Sequence, residues 1–237
     1  MADFRSPYYP YEKDMAFNTL KGAEEIPNKI LMYLLDLPDK NGYVPVDDND
    51  RARVRLIKYL YYDEPNPLSK PLPTTEQKLS LVYTGDVVYP TTQEEQKAHP
   101  KGYRIMTQNY TMPSQLEAQA VLKMWMARVI PRNGFKTVLG INFEISLNYA
   151  LDNVMHINVD SRMYAIFQCL VEALHGVNIA GIGTVYFNKS VHGDCGYTLY
   201  HTEGTTTYGN VFMAIEWQET TGDKVVQEWM PEYLETE

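Results

Sequence analysis

The run Leu139-Gly140-Ile141-Asn142-Phe143-Glu144-Ile145-Ser146-Leu147-Asn148-Tyr149 decides the fold. Leu139, Ile141, Phe143, Ile145, Leu147 and Tyr149 fall on one side of a period-two repeat, and Gly140, Asn142, Glu144, Ser146 and Asn148 on the other, which describes a long strand with a single buried face. Downstream, Asp160 is the expected cap of a helix that buries Met163, Ile166, Phe167, Leu170, Val171 and Leu174 and closes at His175-Gly176. Further strands are expected at 182–187, 197–200 and 210–217, so 136–218 reads as strand, helix, strand, strand. The fold class is α+β: an antiparallel or mixed sheet packed against two or three helices, with an extended N-terminal arm and long loops.

Upstream, Ser114 and Glu117 have the S-x-x-E spacing of a capping box ahead of Leu116, Val121, Met124, Trp125 and Val129, which predicts a helix stopped by Pro131 and Gly134. Two strands, 78–83 and 104–110, are expected to form a hairpin joined by a long exposed loop over 84–102 that carries Tyr89. Ile26, Ile30, Leu31, Tyr33, Leu34 and Leu37 recur at helical spacing, with Pro27 tolerated in the first turn and Pro38 ending the segment. The acidic run Asp47-Asp48-Asn49-Asp50 then starts a second helix near Arg51. That helix interleaves Arg51, Arg53, Arg55 and Lys58 with Val54, Leu56, Ile57, Tyr59, Leu60 and Tyr61, and carries the chain's basic cluster. Pro65, Pro67, Pro71 and Pro73 enforce an extended strap. The organisation expected is an extended arm at 1–15, a helical region with its strap at 16–75, an α+β core at 76–218 and an acidic tail at 219–237.

The bulk composition narrows the function. The 237 residues are 44% apolar and 22% charged, close to a globular average. A formal charge of −9 and a pI near 5.1 oppose a nucleic-acid-binding surface, which needs clustered cations to neutralise phosphates. Cys169 and Cys195 are too few for a disulfide framework and lack metal-ligand spacing, so a reducing compartment is expected. No run reaches the ~18 apolar residues of a membrane helix, and Met1-Ala2-Asp3-Phe4-Arg5 has no signal-peptide core. Tyrosine is the outlier: the 19 tyrosines supply amphipathic rings of the kind enriched at protein interfaces. Phe4, Tyr8, Tyr9 and Tyr11 in the arm, Tyr89 in the long loop, and Arg51, Arg53 and Arg55 are therefore the candidate interaction residues.

Each catalytic or metal-binding grouping in the chain has a simpler counterpart. His192-Gly193-Asp194-Cys195-Gly196 sets a thiol beside an imidazole and a carboxylate, and a thiol enzyme or small hydrolase using Cys195 with His192 or His201 is the alternative function. A Gly-Asp cluster between strands also suits an ordinary turn. His156, Asp160, His192, Asp194 and His201 do not fall in a compact ligand motif, the Asp47–Asp50 run lacks the glycine and distal glutamate of a calcium loop, and Gly176, Gly181 and Gly183 do not open a phosphate-binding helix. The basic helix at 51–58 is either a protein-facing surface or a nucleic-acid contact. No catalytic residue, metal or cofactor is expected.

The stretch 139–149, the capped helix 160–176, Gly181-Ile182-Gly183-Thr184-Val185 and the closing Tyr208-Gly209-Asn210-Val211-Phe212-Met213-Ala214-Ile215-Glu216-Trp217 together resemble the strand-helix-strand-strand arrangement of tailed-bacteriophage neck proteins: head–tail connector, adaptor and tail-terminator subunits. The resemblance covers about a third of the chain. It implies a virion structural protein made in the host cytoplasm, a homo-oligomeric ring between portal and tail that meets other virion proteins, touches DNA only passively in a lumen, and performs no catalysis. The aromatic arm, proline strap and long loop suit subunits that clasp their neighbours around a closed ring.

Overall fold

A computed structural model describes residues 25–39, 41–83, 103–107, 119–131, 136–152, 161–179, 182–201 and 206–218. Eight strands make one mixed sheet: β1 (Val82–Tyr83), β2 (Ile105–Met106), β3 (Ala120–Pro131), β4 (Lys136–Asn148), β5 (Asn178–Ile179), β6 (Gly183–Tyr186), β7 (Gly196–His201) and β8 (Thr206–Gln218). Their order is β1-β2-β3-β4-β8-β6-β5, with β7 also on β8. Five α-helices accompany them among the described residues: α1 (Ile26–Leu34), α2 (Ala52–Tyr61), α3 (Thr75–Leu79), α4 (Tyr149–Asp152) and α5 (Arg162–Leu174). The α+β expectation is borne out.

The long strand runs as the alternation requires as far as Leu147, whereas Tyr149, expected on the same buried face, opens α4 and is exposed. Leu139, Ile141, Phe143, Ile145 and Leu147 of β4 are all fully buried, and Val211, Met213 and Ile215 of its antiparallel partner β8 join them. Ile26, Ile30 and Leu34 of α1, Leu56, Ile57 and Leu60 of α2, and Met163, Ile166 and Leu170 of α5 share that same buried cluster, so the helices cover one face of the sheet. Close approach is built in: a Cβ at Gly209 of β8 would lie 2.3 Å from Phe167 Cζ of α5. The outer edge of β8 is divided, with β7 pairing its first half and β6 its second.

Three expectations give way. The segment around 120–131 is not helical but the strand β3, paired with β4 over eleven register positions. Its core face holds Ala120, Leu122 and Met124, while Val121 on the opposite face is also fully buried. Two apolar faces hide a period of two, and the pairing energy of a thirteen-residue partner strand overrides local helix signals. Residues 78–81 are not strand either, because α3 runs through Leu79 and only Val82–Tyr83 pair. Thr74 and Gln77 form a reciprocal capping box there, Gln77 N–H donating to Thr74 Oγ1 at 3.3 Å and Thr74 N–H to Gln77 Oε1 at 2.9 Å. Finally, β1 and β2 pair in parallel, so they are not a hairpin. Ser114, Glu117, the 84–102 loop with Tyr89, the 1–24 arm and the 219–237 tail lie outside the described residues.

Helix α5 begins at Ser161 rather than from an aspartate at its own first turn. Asp160 lies outside the described residues, and Asp152 of α4 supplies the acceptor: its Oδ1 takes Ser161 Oγ–H at 2.6 Å and Met163 N–H at 3.3 Å. The helix closes as expected at His175, with Gly176 at φ +77° donating to the Val185 carbonyl at 2.8 Å.

Candidate functional site

The sheet face away from the helices is made from the alternate residues of the same strands. Lys123, Glu144, Asn210 and Thr198 lie in one row across β3, β4, β8 and β7, and Trp125, Asn142, Phe212 and Gly196 in the next. Lys123 Nζ pairs with Glu144 Oε1 at 2.8 Å. Between Met126 and Arg128 the register with β4 shifts by one residue, leaving Ala127 without a partner. Such a bulge inverts the alternation beyond it. Arg128 therefore falls opposite Gly140 on this second face, where its guanidinium pairs with Asp194.

Asp194 belongs to the 188–195 connection between β6 and β7, which folds over one end of this face. Cys195 there packs with Val138 and Ala214, while Val191 and Phe212 close the small cluster. The Phe212 ring occupies the space over Gly140, where a Cβ would lie 2.3 Å from its Cζ. Beside the loop opens a hollow of about 290 Å³ lined by Asn142, Lys189, Asp194, Thr198, Asn210 and Phe212, among others.

The sequence His192 to Cys195 is thus a turn over the sheet, in which His192 Nδ1 lies 3.9 Å from Asp194 Oδ2. His192, 6% exposed and stacked on Phe212 at 5.2 Å, accepts Asp194 N–H on Nδ1 at 3.1 Å. The Cys195 thiol donates to the Tyr186 carbonyl at 3.6 Å, and burial pushes it above its ordinary range. A thiol held protonated is a poor nucleophile. His201 lies at the far end of β7 from this turn. Cys169 is buried on α5 itself, and burial raises its thiol to about 11. Among the described residues no three of His, Cys, Asp and Glu are grouped to hold a metal ion. The Asp47–Asp50 run is occupied within the fold: Asp47 accepts Lys58 Nζ at 2.6 Å and Leu72 N–H at 3.0 Å, and Asp48 accepts Asp50 N–H at 2.9 Å.

The basic helix α2 turns its cations inward. Arg53 and Arg51 meet Asp36 Oδ1 at 2.9 and 3.1 Å, and Arg53 lies over the Tyr33 ring at 4.5 Å. Asp36 is fully buried at φ +50° and its Oδ1 also accepts Tyr43 O–H at 2.7 Å, while Lys78 Nζ reaches its carbonyl at 2.8 Å. Burial pulls Lys78 down to about 8. Arg55 pairs with Glu172 of α5. Beyond the other end of α2, Arg104 grips Asp63 through two hydrogen bonds of 2.5 and 2.7 Å, and Arg162 binds the Tyr62 carbonyl at 3.0 Å and the Glu64 carbonyl. Among the described residues, buried charges comprise the cations Lys58, Lys78, Arg104, Lys123 and Arg162 against the single carboxylate of Asp36. The periodicity of α2 exposed none of this, because the carboxylate partners of its cations arrive from 11 to 117 residues away.

What the surface offers instead is tyrosine. Tyr164, Tyr197 and Tyr200 are 48%, 55% and 49% exposed, and Tyr164 meets Tyr197 edge-on at 6.0 Å. Tyr197 and Tyr200 sit on β7, which pairs with β8 alone among the described residues. The candidate residues Phe4, Tyr8, Tyr9, Tyr11 and Tyr89 lie outside the described residues. A protein-family model described as YomW matches residues 54–211, from α2 into β8. No curated protein matches the chain.

Proposed function

Since the chain belongs to the YomW family and is thereby a phage-associated protein, we propose that it is a virion structural subunit, a homo-oligomeric ring component of the phage neck that joins head to tail without catalysis. The observation that carries this reading is the edge of the sheet at β7, where exposed tyrosines, two of them in edge-on contact, lie on and beside a strand that pairs with β8 alone among the described residues. Large rings with polar tips, held rigid by neighbours, suit repeated protein contacts. The inward placement of cations supports the same reading: burying them leaves an acidic exterior, which does not grip passing DNA. The neighbours in this reading are portal and tail proteins, with the virion as its location.

Native mass spectrometry and negative-stain microscopy test it, on the purified chain alone and with the adjacent virion proteins. A closed particle at a small-integer multiple of 27.3 kDa is expected in the mixture. A chain that stays monomeric with every head and tail partner, or phage particles that assemble intact without it, would overturn the reading.

A further inference from the structure

Between α2 and α5 lies a groove of about 400 Å³ lined by Arg55, Tyr59, Tyr164, Gln168, Cys169 and Glu172. Tyr59 and Cys169 are buried within it, Arg55 and Glu172 pair across it, and Tyr164 stands half exposed at its rim. From that rim the aromatic surface continues through Tyr197 to the edge of the sheet, with Phe167 5.6 Å behind Tyr197.

The same chain carries a segment with the complementary chemistry. Pro7-Tyr8-Tyr9-Pro10-Tyr11 has two prolines at P-x-x-P spacing, each fixing φ near the polyproline value and giving up a donor. Extended segments of this kind bind grooves lined by aromatic side chains, because little entropy remains to be lost and the proline rings lie flat on the aromatic ones. Thirteen residues, or fourteen Cα-to-Cα steps, separate Tyr11 from Glu25, where the described chain begins. Extended at about 3.3 Å per residue they span about 46 Å, comparable to the roughly 45 Å width of a compact chain of this length. A tether of that length is long enough to cross to an adjacent subunit.

We propose that the groove between α2 and α5 is the receptor for the Pro7–Tyr11 segment of another copy of this chain. Each subunit then donates one arm and accepts one, a heterologous contact that repeats around a ring. This inference rests on the reading of the protein as a self-assembling subunit and names the contact that would link its copies.

The test uses full-length chains. One carries Tyr9→Cys, the other Gln168→Cys, and the two are mixed with a short bismaleimide; the native thiols are buried and held protonated, so they react slowly. A covalent dimer of the two unlike chains is expected. Its yield should fall roughly tenfold when Tyr164→Ala is added to the accepting chain, and should be unchanged by Tyr200→Ala, which leaves the groove intact. Matching far-UV circular dichroism spectra establish that each variant folds. No mixed dimer, or a yield indifferent to Tyr164→Ala, overturns the arm-and-groove contact. If rings still form in that case, the contact alone falls; if mixed dimers form yet no closed particle is ever seen, the arm contact stands and the ring reading falls.

Discussion

The two faces of β4 and β8 alternate along the same backbone and yet are different materials. The face under the helices is entirely apolar from Leu139 to Leu147 and from Val211 to Ile215, and closed to water. The opposite face carries an ion pair, two asparagines, a threonine and a half-covered phenylalanine in registered rows, with small apolar clusters where the 188–195 loop lies over it and around Val121. One face supplies stability through burial, and the other is left to carry chemistry or contacts.

The sharpest way to break that contrast is a pair of neighbouring substitutions on β4. Phe143→Ala, on the helix side, should cost about 4 kcal/mol in urea denaturation, whereas Asn142→Ala, one residue away, should cost less than about 1 kcal/mol. Equal losses would mean that both faces share the burden of folding. A finer comparison uses two glycines that each sit 2.3 Å, at the position of an added Cβ, from a phenylalanine Cζ. Gly209→Ala drives into Phe167, which is 3% exposed and fixed between α5 and β7, and should lose about 3 kcal/mol; Gly140→Ala meets Phe212, whose ring borders the 290 Å³ hollow and is able to swing aside, and should lose about 1 kcal/mol.

Charge sharpens the comparison further, because the helix layer also buries ions, and one group of them gathers at Asp36. Lys78 there titrates near 8 rather than 10.5, so the unfolded chain binds more protons between those values and stability rises with pH across that window. The gain by pH 9.5 should be on the order of 1–2 kcal/mol. Lys78→Met should abolish this rise, measured as the difference between the two chains' urea midpoints at pH 7 and 9.5. The smallest effect belongs to the exposed rings: Tyr197→Ala should shift stability by less than about 0.5 kcal/mol, yet reduce the amount of assembled particle seen in sedimentation.

The reasons some of this was legible in the sequence, and some was not, lie in particular residues. The period of two in 139–147 survives because one face is apolar and the other polar, so the strand, its burial and the strands after α5 could all be read directly. In β3 the buried Val121 sits across from the buried Leu122 and Met124, and the alternation disappears. The capping box that matters, Thr74 with Gln77, lies in a proline-bounded stretch whose hydrophobic pattern suggested a strand. The interaction residues chosen on α2 illustrate a different limit. Arg51 and Arg53 are close to Asp36 in space but 15 and 17 residues from it in sequence, and Arg55 is 117 from Glu172, so no local pattern announces what they hold. The exposed tyrosines of α5 and β7 had only their number to recommend them.

The central position of β8 also has a consequence in time. It pairs along its whole length with β4, joining Asn148 to Thr206 at the near end and Lys136 to Gln218 at the far end, 58 and 82 residues apart. Contacts so distant along the chain are slow to form, because a long loop must close before any pairing is gained. Until the ribosome has released the segment through Gln218, β4 has an open edge and Val211, Met213 and Ile215 have no place in the core. During that interval the β8 of another nascent chain is as good a partner as its own, so the order of synthesis makes this strand the point where correct closure and exchange between copies compete.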